Sequence, residues 1–322
     1  MSEMAATYPR PAVTPRRQVW RRLFRLLWFV VTTTPLLFLM PHLDPGELSH
    51  RFGGVVIPLL LLAAALNLAV HVVQAGCWSA LLHPLRRLPF RLLLRYEFAA
   101  QSTAFVDVAS GTAPLRARLL ARADVPPEVT AALTSLRRIV RAAGIGVLAV
   151  AAPLVLTGLP IRVTAYLWLS TVVTIAVVGW LVLLAHRRYG ATRVPRILRR
   201  VTAGLFCLRD ARALLLLLVL GMLEVLIDAV AAAVVLSALH VRVSVGAAAL
   251  VLFFVDMSVS LPVSPVNLGT FEAGALLALE FAHVPLEAGA AFALVFHAQQ
   301  NLPQLVAGLP LRIAVANRRR RS

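Results

Sequence analysis

The pattern along this chain is one of long apolar runs divided by short polar breaks, with almost no period-2 alternation. Runs long enough to span a bilayer, which takes about 17–25 residues, fall near 24–41, 54–82, 138–157, 163–185, 213–239, 245–262 and 287–311. Two further stretches, 92–110 and 264–283, are apolar but interrupted. This pattern predicts an all-α polytopic membrane protein. It has about eight transmembrane helices plus broken or re-entrant elements.

The most unusual break is SPVNLG at 264–269. Pro262, Pro265 and Gly269 stop a helix there. The helical segment beyond the break, about 270–283, spans only roughly 21 Å at helical rise, against a hydrocarbon core of about 30 Å. Non-helical backbone is therefore expected at membrane depth, which is tolerated only where protein or a water-filled cavity satisfies it.

Composition agrees with the pattern: 60% of residues are hydrophobic and 14% charged, with mean hydropathy +0.83. That excludes a disordered or nucleic-acid-binding class. The net charge of +18 serves orientation instead. Every basic residue other than histidine is an arginine, so lysine chemistry is ruled out.

Arginines cluster at 10–25, 86–95, 116–122, 187–212 and 312–321, whereas 42–53, 158–162 and 240–244 hold one each. The positive-inside rule then places both termini in the cytoplasm if 264–283 traverses and 92–122 enters and returns. The first apolar run is succeeded by PHLDPG rather than a small-residue cleavage site, so it is not read as a signal peptide.

Organisation comes from these segments. Residues 1–20 form a polar cytoplasmic N-terminus, 21–315 one transmembrane domain, and 316–322 a basic tail. Within the domain, halves 21–185 and 213–315 are joined by 186–212, a basic amphipathic segment suited to an anionic headgroup surface.

The halves echo each other. FVD recurs at 105–107 and 254–256, Gly-Thr at 111–112 and 269–270, and Val-Pro at 125–126 and 284–285. Interrupted segments in corresponding positions of two halves point to a transporter binding site. Whether the repeat is parallel or inverted is left open by the sequence.

Polar residues within the spans complete the candidate site. Asn67, His71 and Gln74 share one helical face, Glu224 and Asp228 stand one turn apart, and His297, Gln300 or Asn301, and Gln304 form a third stripe. Asp107, Asp256, Glu272 and Glu280 flank or enter the broken elements. Ionisable groups at membrane depth usually face an interior and mark a pathway.

Simpler roles stand beside that one. The Asn67 face can be interhelical glue, Glu224 and Asp228 can pair with Arg209 or Arg212, and Thr270 can cap a helix whose first turn favours Glu272. Cys77 and Cys207 fit no disulfide or metal spacing, and the histidines form no metal motif. No metal or other cofactor is expected, and no catalytic residues are assigned.

The segment SPVNLGTFEAGALLALEFAHVPLEAGAAFALVFHAQQNLPQLVAGL resembles the C-terminal signature of the lysylphosphatidylglycerol synthase transmembrane-region family, flippase-like membrane proteins. SGTAPLRARLLARADVPPEVTAALTSLRRIV resembles its other signature, and the similarity covers roughly 90–310. Carried over, Pro265, Gly269 and Glu272 match the Gly-x-x-Glu element, Arg116 or Arg118 the post-glycine arginine, and Pro303 and Gly308 the last helix.

The chain departs from the family at Asn267, where glycine is frequent, and at His297, where arginine is usual. It departs again at Leu136–Arg137–Arg138, which replaces an acid–arginine pair. In full-length synthases a soluble aminoacyl-transfer domain comes after the membrane part. This sequence ends at RRRRS, so it is not expected to synthesise aminoacylated lipid itself.

The resemblance implies translocation of a polar-headed lipid between leaflets. Membrane lipids are then the partners, with Arg116 or Arg118 on a headgroup phosphate and Glu272 on an amine or sugar hydroxyl. Asn267, Gly269, Asp107, Asp256, Glu224, Asp228 and His297 complete the expected lining. The competing readings are a non-catalytic accessory to a separate lipid-modifying synthase or glycosyltransferase, and an intramembrane enzyme.

The topology has a direct check. Single cysteines at 240–244 should react with an impermeant maleimide from outside, and those at 190–205 should not. Labelling of both from outside would overturn the arrangement.

Overall fold

A computed structural model describes residues 41–102, 112–155, 211–260 and 269–318 apart from single positions, together with Asn267 and isolated positions between 165 and 176. The expected spans at 24–41 and 163–185 and the segment 186–212, all but a few positions of each, together with residues 1–20, Asp107, Pro262 and Pro265, lie outside the described residues.

All regular structure described is helical: α1 Pro45–Gly53, α2 Ile57–Leu82, α3 Phe90–Gln101, α4 Thr112–Ala121, α5 Pro127–Val155, α6 Ala211–Ala238, α7 Val245–Ser260, α8 Thr270–Phe281 and α9 Leu286–Arg318. Among the described residues two stretches, Ile57–Leu82 and Arg212–Ala238, are long and apolar enough to cross a membrane. At 1.5 Å per residue each exceeds a hydrocarbon core of about 30 Å.

Helices α2 and α6 run antiparallel along each other. At one end Val56 N–H donates to the Ala238 carbonyl at 3.0 Å, and His240 Nε2 donates to the Gly54 carbonyl at 2.9 Å. Midway, Gln74 reaches Glu224. Near the other end Leu220 packs over Gly76.

The two interrupted stretches are helical hairpins entering from opposite ends of this pair. The first, α3 and α4, starts beside the C-terminal end of α2 and runs back along it, placing Phe98 against His71 and Gln101 against Gln74. The second, α7 and α8, starts where α6 ends. Its legs run antiparallel, with Gly274 packed on the Phe254 carbonyl and Phe281 against Phe254. Among the described residues each half thus has the order long helix, hairpin, long helix, and the second half runs in the opposite sense. The repeat is inverted.

Backbone detail supports the correspondence. The hairpin exits turn alike: Asp124 and His283 adopt left-handed φ of 57° and 56°, and Val125 and Val284 N–H bond to Leu120 and Leu279 carbonyls at 3.1 and 3.0 Å. This is the six-to-one closure of a helix C-terminus, with proline next in both cases. Thr112 and Thr270 both open a hairpin's second leg. Asp256 of the second FVD lies within α7; Asp107 of the first lies outside the described residues.

Among the described residues apolar packing is split in two. One cluster, around Leu236, Leu250, Phe271, Phe292 and Phe296, joins α6 to the second hairpin and α9. The other, around Trp78, Leu81, Leu93, Leu133 and Leu217, joins α2, α3, α5 and α6 near the opposite end. Polar side chains fill the level between them.

A methyl group on Gly274 would stand 2.7 Å from the Phe254 carbonyl oxygen, whereas one on Gly53 meets nothing within 4 Å. Gly274→Ala should therefore cost about 1–3 kcal/mol through overpacking and lower the unfolding midpoint in detergent. Gly53→Ala should stay within about 0.5 kcal/mol. Equal midpoints for the two variants would contradict the close packing of the hairpin legs.

Candidate functional site

Three linked groups of polar side chains occupy the level between the apolar clusters. The first surrounds Glu97 on α3, which is 1% exposed. Arg116 on α4 donates to its Oε1 at 2.6 Å, and Arg137 on α5 lies 3.7 Å from the same oxygen. Arg116 also sits over the Trp78 ring, 5.4 Å from its centroid. Three buried donors here, Trp78 Nε1, Arg116 Nε and Arg137 Nη1, have no hydrogen-bond acceptor among the described residues. Unpaired buried donors are costly, so this end of the site is rich in unused hydrogen-bonding capacity.

The second group is organised by Arg141 on α5. Its Nη1 donates to Glu224 Oε1 at 2.9 Å and Asp228 Oδ2 at 2.8 Å. Its Nη2 and Nε make a fork to Asp256 at 3.0 and 3.4 Å. Glu224 and Asp228 sit on one face of α6 because they are four residues apart, while Asp256 arrives from α7. Glu224 Oε1 also accepts from Gln74 at 2.9 Å. Its Oε2 is buried without a donor among the described residues.

The Asn67, His71 and Gln74 face is shared among these neighbours. Asn67 donates to the Gln299 carbonyl, and His71 Nδ1 lies 3.2 Å from Gln74 Oε1.

The third group stands at the start of α8. Gly269 has φ 86°, a conformation glycine adopts without side-chain strain, and it is the N-cap residue. Glu272 Oε2 accepts the Gly269 N–H at 2.7 Å, and its Oε1 meets His297 Nδ1 at 2.6 Å. The His297 ring stacks on Phe271 at 4.4 Å.

Thr270, expected as the cap, is instead the first helical residue, and its hydroxyl donates to the Asn267 carbonyl. The Gly-x-x-Glu spacing is thus a helix start in which the acid folds back on the glycine N–H. A cavity of about 90 Å³ adjoins it, lined among others by Arg141, Asp256, Asn267, His297, Gln300 and Asn301.

The structure brings together Glu224, Asp228 and Asp256 around Arg141. It joins Glu272, Gly269 and His297 beside the cavity that Asp256 and Asn267 also line. Arg116 is buried near this level, whereas Arg118 is exposed. The expected pairing of Glu224 and Asp228 with Arg209 or Arg212 is replaced by Arg141, because these acids lie more than two helical turns beyond Arg212.

Sequence reasoning missed Glu97, Arg137 and Arg141. The available signal was Arg137 and Arg141, four residues apart at the start of a span and hence on one face. Glu280 is exposed at the far end of α8. Among the described residues, no group of three His, Cys, Asp or Glu side chains is arranged to hold a metal ion.

Removing Arg141 would leave three carboxylates without their shared cation. Arg141→Met should lose about 3–5 kcal/mol, the usual consequence of breaking a buried ion pair from one side. Adding Asp228→Asn should recover part of that loss, read as a non-additive pair in thermal unfolding. Strict additivity would argue against the shared network.

No curated protein matches this chain in sequence. A family model described as the lysylphosphatidylglycerol synthase TM region matches residues 25–308. The match covers both hairpins, all three polar groups and the helix start at Gly269–Glu272. The chain belongs to the lysylphosphatidylglycerol synthase transmembrane-region family, membrane proteins of lipid metabolism or transport.

Proposed function

We propose that this protein moves a polar-headed lipid between the leaflets of the cell membrane, as a multi-pass protein with both termini in the cytoplasm. The supporting observation is the distribution of unused polar capacity in the buried layer between the two apolar clusters. Donors without acceptors among the described residues gather at Trp78, Arg116 and Arg137, and an acceptor without a donor, Glu224 Oε2, lies across the network.

Charge has the same division. Around Glu97 two guanidinium groups face one carboxylate. Around Arg141 one guanidinium faces three. A headgroup carrying a phosphate and an amine suits this gradient, with phosphate on Arg116, Arg137 and Trp78 and amine on the Arg141 carboxylates. A buried polar site in a repeat with two inverted hairpins is the arrangement alternating access uses.

Glu272 takes a different role from the one its motif suggests. Both of its oxygens are engaged, by Gly269 and His297. We assign it to positioning: it holds the start of α8 against α9 beside the cavity. No step of covalent chemistry is assigned to the chain, and membrane lipid is its partner in this reading.

The test is reconstitution into liposomes with tail-labelled fluorescent lipids and dithionite quenching of the outer leaflet. A phosphatidylethanolamine probe should cross faster than in protein-free vesicles and faster than a neutral glycolipid probe. Arg116→Gln should slow it about tenfold or more, the equivalent of one charged hydrogen bond. Glu272→Gln should also slow it while leaving inserted protein unchanged. Crossing at the protein-free rate for every headgroup would overturn the proposal and favour an accessory role beside a separate lipid-modifying enzyme.

A further inference from the structure

The outer face of the first hairpin carries charge that the buried layer does not use. Glu97 on α3 meets Arg116 on α4 at 2.6 Å, which sets the register of the two legs. Leu93 and Leu120 stand one helical turn outward from that pair on each leg, and both are buried in the same region, Leu93 in the cluster with Leu120. Between these two levels lie Arg95 on α3 and Arg118 on α4. One turn beyond them lie Arg91 and Arg122.

The four arginines therefore make two rungs across the hairpin. A step of two residues turns a helix by about 200°, so the rungs occupy the face opposite Glu97 and Arg116. All four are exposed, whereas Leu93, Glu97, Arg116 and Leu120 are buried.

By itself this arrangement is unfavourable. Arg91 and Arg95 are four residues apart on one leg, as are Arg118 and Arg122 on the other, and like charges at that spacing repel. Among the described residues none of the four has a carboxylate partner. Asp124, at the hairpin exit, is held by Arg86 at 2.6 Å, and Glu128 at the start of α5 has a contact of its own. Orienting a chain requires basic residues on one side of the membrane. It does not require them in register on two legs of one hairpin.

Depth identifies the occupant. The contacts of Gln101 with Gln74 and of Phe98 with His71 put Arg95 level with the last two turns of the apolar helix Ile57–Leu82, and Arg91 level with its end. That is where hydrocarbon gives way to headgroups, and an arginine there lays its stem on apolar surface and extends its guanidinium group to the phosphates.

We infer that the outer face of the first hairpin binds the phosphates of anionic membrane lipids, with a phosphate shared across each rung, at the membrane surface where α2 ends. In the orientation proposed above this is the cytoplasmic leaflet. Guanidinium forks suit phosphate oxygens, and a shared phosphate offsets the repulsion along each leg. The rungs hold guanidinium groups only, so the face favours a headgroup without an ammonium group. This inference rests on membrane placement and not on translocation, because a lipid held here is outside the buried layer.

The experiment uses the full chain in phosphatidylcholine nanodiscs. The probe is phosphatidylglycerol with a photoactivatable group at the top of one acyl chain, and the comparison is phosphatidylcholine carrying the same group. Cross-links are mapped by mass spectrometry. The phosphatidylglycerol probe should label the exposed face of α3 and α4 about tenfold more than the comparison. Arg95→Gln with Arg118→Gln should lower that labelling about tenfold or more, at roughly fivefold per charge. Arg95→Lys with Arg118→Lys should keep most of it, and Arg242→Gln, at the opposite end of α6, should leave it unchanged.

Unlabelled phosphatidylglycerol should compete with the probe, and excess inorganic phosphate should not. Equal labelling by the two probes, or a glutamine pair that labels like the unaltered chain, would overturn the site. Competition by free phosphate as strong as that by lipid would overturn the lipid assignment. Should the glutamine pair fail to insert, Arg91→Gln with Arg122→Gln, on the outer rung, is read in its place with the same expected loss.

Discussion

The described architecture turns on one guanidinium group that serves three carboxylates from two different helices. Arg141 uses Nη1 on Glu224 and Asp228 of α6, and Nη2 and Nε on Asp256 of α7. It is thereby the tie between α5, the long helix after the first hairpin, and two successive elements of the second half. Taking these charges out of water is expensive, and their mutual contacts offset that cost only while all of them stay in place. A bundle whose apolar packing is divided into two clusters thus has a polar level between them that demands one arrangement.

Charge is also divided between the halves. Arg116, Arg137 and Arg141 belong to the first half, while Glu224, Asp228, Asp256 and Glu272 belong to the second. Glu97 is the exception, and it is held by Arg116 within its own hairpin. The two halves share helix order and turn geometry, down to the left-handed residues Asp124 and His283. Opposite charge at their contact gives the inverted repeat a complementary interface that identical halves would lack. The same charges resist any rocking of one half against the other, so a species that neutralises the acids lowers the resistance where the halves meet.

Much of the fold was legible because its signals are local. Apolar length marked α2 and α6, the Val-Pro pairs marked the hairpin exits, and Gly269 marked the start of α8, while Pro262 and Pro265 lie outside the described residues. Inversion was not legible: both hairpins read as interrupted apolar stretches, and only the contacts of Phe98 with His71 and of Gly274 with Phe254 fix their directions. The carboxylates of the site were visible as charges in apolar runs. Their partners were hidden, because Arg137 and Arg141 lie beside the arginine-rich segments that also set topology. Nothing local distinguishes an arginine that orients a span from one that enters its core.

Glu272 shows how one motif carries two readings. The Gly-x-x-Glu spacing suggested an acid presented to substrate and, equally, a first-turn partner of the helix start. In the structure the spacing lets the carboxylate return to the N–H of a glycine at positive φ, satisfying a donor that the helix start leaves open. His297 then takes the second oxygen, standing where an arginine is usual in the family. A histidine keeps the hydrogen bond but carries a fixed positive charge only when protonated. The replacement weakens the permanent cation at the tip of the second hairpin and leaves Arg141 as the dominant positive charge at the cavity. In the proposed lipid-translocation reading, a headgroup amine meets the carboxylates around Arg141, and Glu272, bonded to Gly269 and His297, holds the start of α8 beside them.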